Sequence, residues 1–189
     1  MGKPDLDRAE EARDLEEAAE RTRGEDRLSF LSQAADHWSE AGAYDRAIDL
    51  LTRVAAESGD PADAGSPVLA CSLFRAGREE EAWEVVEKAE GLAAAGQNWR
   101  DYDELADYLV RADRPERALK CYDEALRIVL GLEQPDAPEP EHPALRPLSS
   151  VRRNRMLVRQ RLGLPADEHD KAAVKALPVA ERWRRRRRP

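Results

Sequence analysis

The sequence predicts an all-α chain, an α-solenoid of stacked helical hairpins, on two observations. Ala, Glu, Arg and Leu dominate the 189 residues and aromatics supply only 5%, which is a helical composition. Between residues 31 and 126 one pattern recurs three times: a small alanine just inside a second helix, a larger apolar residue four positions on, and a small or β-branched residue three later. The copies are Ala47, Leu51, Val54, then Ala82, Val86, Ala89, then Ala118, Tyr122, Ala125. The alanines stand 35 and 36 residues apart, and a period of that length with two helices per unit marks a repeat architecture.

Residues 1–24 form an N-terminal helix, with Leu6, Ala9, Ala12, Leu15, Ala18 and Ala19 at three- and four-residue spacing and Gly24 as its stop. The thin, alanine-rich stripe suits a cap packed on the repeats; a frayed helix is the other reading. Three hairpins then occupy residues 27–131. In the first, 27–58, Leu28, Leu31, Ala34, Ala35 and Trp38 share a face, Gly42 breaks the helix, and Ala47, Ile48, Leu51 and Val54 line the return. A flexible turn-rich loop follows, and Ser66-Pro67 opens the second hairpin, 66–91, with Ser as cap and Pro in the first helical position. Gly77 divides that hairpin, and the run from Leu92 to Gly96 weakly continues it. Asn98 caps the third, 98–131, which turns at Asp113-Arg114-Pro115.

Prolines 135, 138, 140, 143 and 147 then make residues 132–148 a linker that cannot be helical throughout. Capping helices follow over 149–177, started by Ser149 or Ser150 and broken at Gly163 and Pro165. Residues 178–189 form a basic, disordered tail.

Charge divides the chain. Residues 1–140 hold 17 Lys+Arg against 34 Asp+Glu, a net of −17, and residues 141–189 hold 14 against 5, a net of +9, giving −8 in all. An acidic body and a basic end point to separate tasks. No run approaches the roughly 18 apolar residues of a membrane span, and the start, Met1 to Asp5, lacks the apolar core of a secretory signal. A cytoplasmic protein is expected, and the arginine-rich, lysine-poor usage suits a bacterial GC-rich genome. Cys71 and Cys121, both in helical patterns, read as free, partly buried thiols rather than a disulfide.

These hairpins resemble tetratricopeptide repeats. Leu31, Ala34, Ala35 and Trp38 match the first-helix pattern, as do Leu69, Ala70 and Leu73, and Tyr102, Leu105, Ala106 and Leu109. Small residues there let helices approach while larger ones fill the gaps. The match covers about half the chain and departs where Ala35, Ala70 and Ala106 stand at positions usually glycine. The resemblance implies a right-handed superhelix whose concave face, lined by first helices, binds a peptide or protein partner. By register that face presents Ser32, Asp36, Ser39 and Glu40, then Cys71, Phe74 and Arg75, then Arg100, Asp103, Asp107, Val110 and Arg111. Acids at several of these sites argue against a receptor for C-terminal carboxylates. Phe74 either anchors a ligand or packs against the third hairpin.

Catalytic chemistry finds no support. The ten glycines are dispersed, without a phosphate loop. His37, His142 and His169 are isolated. Asp103 and Asp107 share a helix face but read as a solvated acidic face rather than an acid–base pair. No cofactor or metal set is expected, and the chain reads as an adaptor or scaffold rather than an enzyme.

The basic end supports an alternative, a nucleic-acid- or ribosome-associated protein. Arg152, Arg155 and Arg159 share one face of the last long helix, with Arg153 and Arg161 alongside, and Arg184, Arg185, Arg186, Arg187 and Arg188 follow Trp183. Guanidinium forks match phosphate oxygens, and Trp183 can stack on a base. The competing reading pairs the helix arginines with the acidic body as an end cap. A third reading is self-association, the basic tail of one chain docking on the acidic body of another.

Overall fold

Helix follows helix along the chain, as the alanine period predicts. The computed structural model describes residues 6–132 and 147–176, with ten helices and no strand among the described residues. Of the linker expected over 132–148, residues 133–146 lie outside them, while Leu132 ends one helix and Pro147 and Leu148 begin another; the tail expected over 178–189, with Trp183 and Arg184 to Arg188, also lies outside them. The chain divides into two units, one ending at Gly96 and the other beginning at Gln97.

The first unit contains α1 (Leu6–Arg21), α2 (Gly24–Glu40), α3 (Tyr44–Ser58), α4 (Pro61–Ala64), α5 (Pro67–Arg75) and α6 (Glu79–Gly96). The alanine stripe of α1 does pack: Ala9, Ala12 and Ala19 are buried, and α1 lies against α2. Polar side chains strengthen that seam. Trp38 Nε1 donates to Glu16 Oε1 at 2.6 Å, and Arg46 closes on the same carboxylate. Arg13 stacks over the Trp38 ring at 5.6 Å. Helix α3 buries Leu50 as well as the expected Ala47, Ile48, Leu51 and Val54, because α2 and α5 both pack on it.

The second unit contains α7 (Trp99–Arg111), α8 (Pro115–Leu132), α9 (Pro147–Arg161) and α10 (Glu168–Ala176). Tyr102, Leu105, Ala106 and Leu109 of α7 meet Ala118, Tyr122, Ala125 and Leu126 of α8, all buried. α9 adds Val151, Met156 and Val158, and α10 adds Ala173. Burying each large aliphatic side chain contributes about 1.5–3 kcal/mol. Ala47, Ala82 and Ala118 are each 0% exposed, so the small residue that defines the repeat is fully enclosed in all three copies.

One backbone cap ends the first helix of every hairpin. Gly42, Gly77, Asp113 and Gly163 adopt the left-handed conformation, with φ of 82°, 81°, 62° and 68°. The next residue's N–H reaches back five positions: Ala43 to Trp38, Arg78 to Leu73, Arg114 to Leu109 and Leu164 to Arg159, at 2.8–3.0 Å. This double-bonded Schellman arrangement satisfies carbonyls that the helix leaves open. Glycine suits the position because it lacks Cβ; Asp113 is there because aspartate tolerates left-handed backbone better than most residues.

Several local expectations change. Ser66 makes no side-chain cap, and α5 begins on Pro67 alone. The loop after Glu57 contains α4, started by Asp60 Oδ1 accepting from the Ala62 N–H at 2.8 Å. Gly65 then sits so close to α6 that a Cβ there would meet Leu92 Cδ1 at 3.1 Å and the Ala89 backbone at 3.3 Å. α6 continues through Gly96, burying Ala93. α9 starts at Pro147 rather than at a serine. Asn98 caps α7 as expected, its side chain accepting from the Arg100 N–H at 3.1 Å.

Candidate interaction surfaces

The candidate surface residues fall on α2, α5 and α7, the first helices of the hairpins. On α2, Ser32, Asp36 and Ser39 are half-buried and Glu40 is exposed. Ser39 Oγ lies 3.0 Å from Ser72 Oγ, which donates to it from a fully buried position on α5. Glu40 pairs with Arg8 of α1 at 3.1 Å. His37 belongs to the same α1–α2 seam, with Nδ1 at 3.0 Å from Glu11.

On α5 the register departs from expectation. Arg75 is exposed, its guanidinium 6.0 Å from the Tyr44 ring centroid. Cys71 and Phe74 are each only 6% exposed. The Phe74 ring packs edge-to-face on Trp83 of α6, centroids 4.8 Å apart, an arrangement that complements the aromatic quadrupoles. Phe74 is therefore a core side chain of the first unit in this conformation, not an exposed anchor.

On α7, Arg100 and Arg111 are exposed, lying over the Trp99 and Tyr108 rings at 5.3 and 4.7 Å. Val110 is half-buried. The two aspartates are not a simple solvated pair. Asp107 is exposed and accepts from the hydroxyl of buried Tyr122. Burial, then that hydrogen bond, push the Tyr122 phenol well above its usual range. Asp103 is half-buried, and its Oδ1 is buried without a hydrogen-bond partner. Burial and the Asp107 charge push its carboxyl up to about 6, against a hydrogen bond from Asn154 of α9.

The helix arginines are engaged inside the second unit. Arg155, with its side chain 8% exposed, reaches Asp123 of α8 at 2.6 Å, Asp167 at 2.8 Å and Asp170 at 3.3 Å. Arg159 pairs with Asp170 at 3.0 Å and donates to the Pro165 carbonyl at 2.7 Å. Asp167 and Asp170 also cap α10 reciprocally, each carboxylate accepting the other's backbone N–H at 3.0–3.1 Å, which is capping-box geometry. Arg161 pairs with Asp113. Arg152 is half-buried, with Nε buried and unpartnered. Of the proposed polyanion face on α9, Arg155 and Arg159 are thus committed to carboxylates, because a guanidinium removed from water must be neutralised locally. The aspartates that hold them were not singled out as functional; the three-residue spacing of Asp167, just ahead of α10, and Asp170 in its first turn was the available signal.

Cys71 and Cys121 are not joined in a disulfide, as expected, and both are buried. Among the described residues, no group of three or more His, Cys, Asp or Glu could hold a metal ion, and no helix is long and apolar enough to cross a membrane.

No family model and no curated protein matches the chain. Solved structures do. One holds nearly identical TPR-like repeats described as kinesin light chain, from Podosopora anserina, at 17% identity over 97% of each chain with a TM-score of 0.55. Another is MamA from AMB-1, at 20% identity over 90% of this chain and 95% of that one, with a TM-score of 0.49. At such identities the likeness concerns the fold alone. This chain has the fold of tetratricopeptide-like repeat proteins, as its triplicated pattern implied.

Proposed function

We propose that the chain is a non-enzymatic scaffold whose first helices bind a protein or peptide partner. The observation that carries this reading is the TPR-like fold across nearly the whole length. Rigid helical hairpins keep the ordering cost of such binding low. In the first unit the contacting groups are Asp36, Ser39 and Arg75; in the second they are Arg100, Asp107, Val110 and Arg111, with Asp103 at the edge. Cys71 and Phe74 support the α5 surface from beneath.

The test is capture from host lysate, with nuclease present, by the full chain and by a chain ending at Ala180. A discrete protein retained by both, and lost on Arg75→Glu or Arg111→Glu with helicity unchanged, supports the reading. Retention by both charge-reversed variants overturns this assignment of surface. These exposed arginines are better probes than Phe74, whose removal would empty the core.

The basic end favours a second reading, polyanion binding. With Arg155 and Arg159 paired to aspartates, this function falls to Arg184–Arg188, helped by Arg152. It predicts affinity for RNA or heparin that falls steeply with salt and vanishes when residues 182–189 are removed. Self-association through the same tail predicts a mass that rises with protein concentration at low salt. A constant monomer mass would end that idea.

A further inference from the structure

Gly163 ends α9 with the same left-handed cap that ends α2, α5 and α7. α9 and α10 therefore form a fourth hairpin, one that the alanine period does not announce. Counting back from each cap sets α9 in register with the candidate surface. Six positions before the left-handed residue stand Asp36, Cys71, Asp107 and Leu157.

Side-chain contacts within the second unit give the same register. Asn154 hydrogen-bonds Asp103. Arg161 donates to the Val110 carbonyl at 3.5 Å and pairs with Asp113. Asn154 and Arg161 stand about two turns apart on α9, and each meets the residue 51 positions earlier on α7. α9 is seated on α8 and α10, yet it runs alongside α7 in the same direction. Leu157 therefore lies across from Asp107, between the two bridges.

The strip between the bridges combines apolar surface with negative charge. Leu157 is 42% exposed, and among the described residues no other first helix shows a large aliphatic side chain so openly. Val110 is half-buried. Asp107 is exposed and accepts from the Tyr122 hydroxyl. Asp103, one turn away, adds a second carboxylate. The influences on Asp103 are burial, Asp107 and the neutral Asn154 amide, with no cation among them. A lone exposed leucine is ordinary on a protein surface. A leucine facing two carboxylates that lack a compensating cation at Asp103 asks for both apolar contact and positive charge.

We propose that α7 and α9 form a docking strip for a partner segment that carries a lysine or arginine beside an aliphatic or aromatic side chain, the cation meeting Asp107 and the apolar group covering Leu157 and Val110. This rests on the scaffold reading above and names the chemistry of its partner. The cation offsets the repulsion between Asp107 and Asp103, so the strip selects a basic segment over an acidic one. The apolar contact supplies most of the affinity.

The test is selection of phage-displayed random peptides on the full chain, followed by fluorescence anisotropy with the most enriched peptide. Enriched sequences should place Lys or Arg next to, or one residue from, Leu, Ile, Met or Phe. With helicity unchanged, Leu157→Glu should weaken binding about tenfold or more, and Leu157→Met should bind as the wild type does. Asp107→Asn keeps the acceptor for Tyr122; it should weaken binding about two- to fivefold and reduce its dependence on salt. Arg75→Glu, in the first unit, should leave this binding unchanged. Binding that depends on Arg75 but not on Leu157 or Asp107 overturns the strip and leaves the scaffold reading standing. Enriched sequences without the basic–apolar pair overturn the strip as well, and no enrichment at all counts against both. A synthetic peptide of residues 177–189 that displaces the selected one at equal affinity makes the chain's own tail the occupant and overturns the assignment to a partner.

Discussion

Arg155→Met separates the two roles that an arginine-bearing last helix could have. The guanidinium is 8% exposed and lies within 3.3 Å of three carboxylates on α8, the α9–α10 connection and α10. Methionine fills much the same volume, so the loss is one of charge. Removing one member of a buried ionic network costs about 3–5 kcal/mol, because the partners stay buried and uncompensated. Here Asp123 is about half exposed at 49% and can rehydrate. Asp170, at 4%, keeps Arg159 at 3.0 Å. The low end of the range therefore applies, about 3 kcal/mol, and the damage concentrates in α10, which the network ties down. With a urea slope of about 1.5 kcal/mol/M for a unit of this size, the midpoint of the second unit should fall by about 2 M. Circular dichroism through a urea titration, fitted with separate transitions for the two units, reads the shift. Heparin or RNA affinity should not change. A loss of less than about 1 kcal/mol together with weakened polyanion binding would refute the reasoning and return Arg155 to the surface.

Other perturbations follow from the same geometry. Phe74→Ala should cost about 3–4 kcal/mol in thermal or urea unfolding, since it removes a buried ring from the α5–α6 contact. Gly77→Ala should destabilise by about 1 kcal/mol through its left-handed backbone alone, as open space surrounds the position. Gly91→Ala, within α6 and equally open, should stabilise by about 0.5–1 kcal/mol. Burial acts against ionisation of Asp167, yet the Asp170 N–H and the Arg155 guanidinium outweigh it and hold its carboxyl below the usual 3.8. The stability it contributes is full above that value and is lost as pH falls through the lower one. Exchange protection of α10 should therefore drop in acid, and Arg155→Met should lose that dependence.

The hairpins were legible because their signal is local and repeated. Ala47, Ala82 and Ala118 are each fully enclosed, and the turns at Gly42, Gly77 and Asp113 follow from what left-handed backbone demands. The surfaces were less legible, because side-chain fate depends on distant helices. Phe74 falls at a register position that suits a groove, but Trp83 from the return helix closes over it. Asp103 and Asp107 look alike at four-residue spacing, but Asp103 is half-buried and takes a hydrogen bond from Asn154, some fifty residues on. The α9 arginines allowed two readings, and the choice rested on Asp167 and Asp170, which first serve as the start of α10. Ser66 makes no cap although its residue type was right, and nothing in the structure explains why.

The recurrence of one backbone cap has an evolutionary consequence. Because the junction is made by main-chain atoms and one left-handed residue, its chemistry is indifferent to the helices on either side. A duplication or excision running from Gly42 to Gly77, or from Gly77 to Asp113, would rejoin the chain at an equivalent dihedral and an equivalent hydrogen bond. The hairpin is thus the natural unit by which this chain can be lengthened or shortened, and Asp113 is the one of these three junctions at which a residue with a side chain adopts the left-handed dihedral.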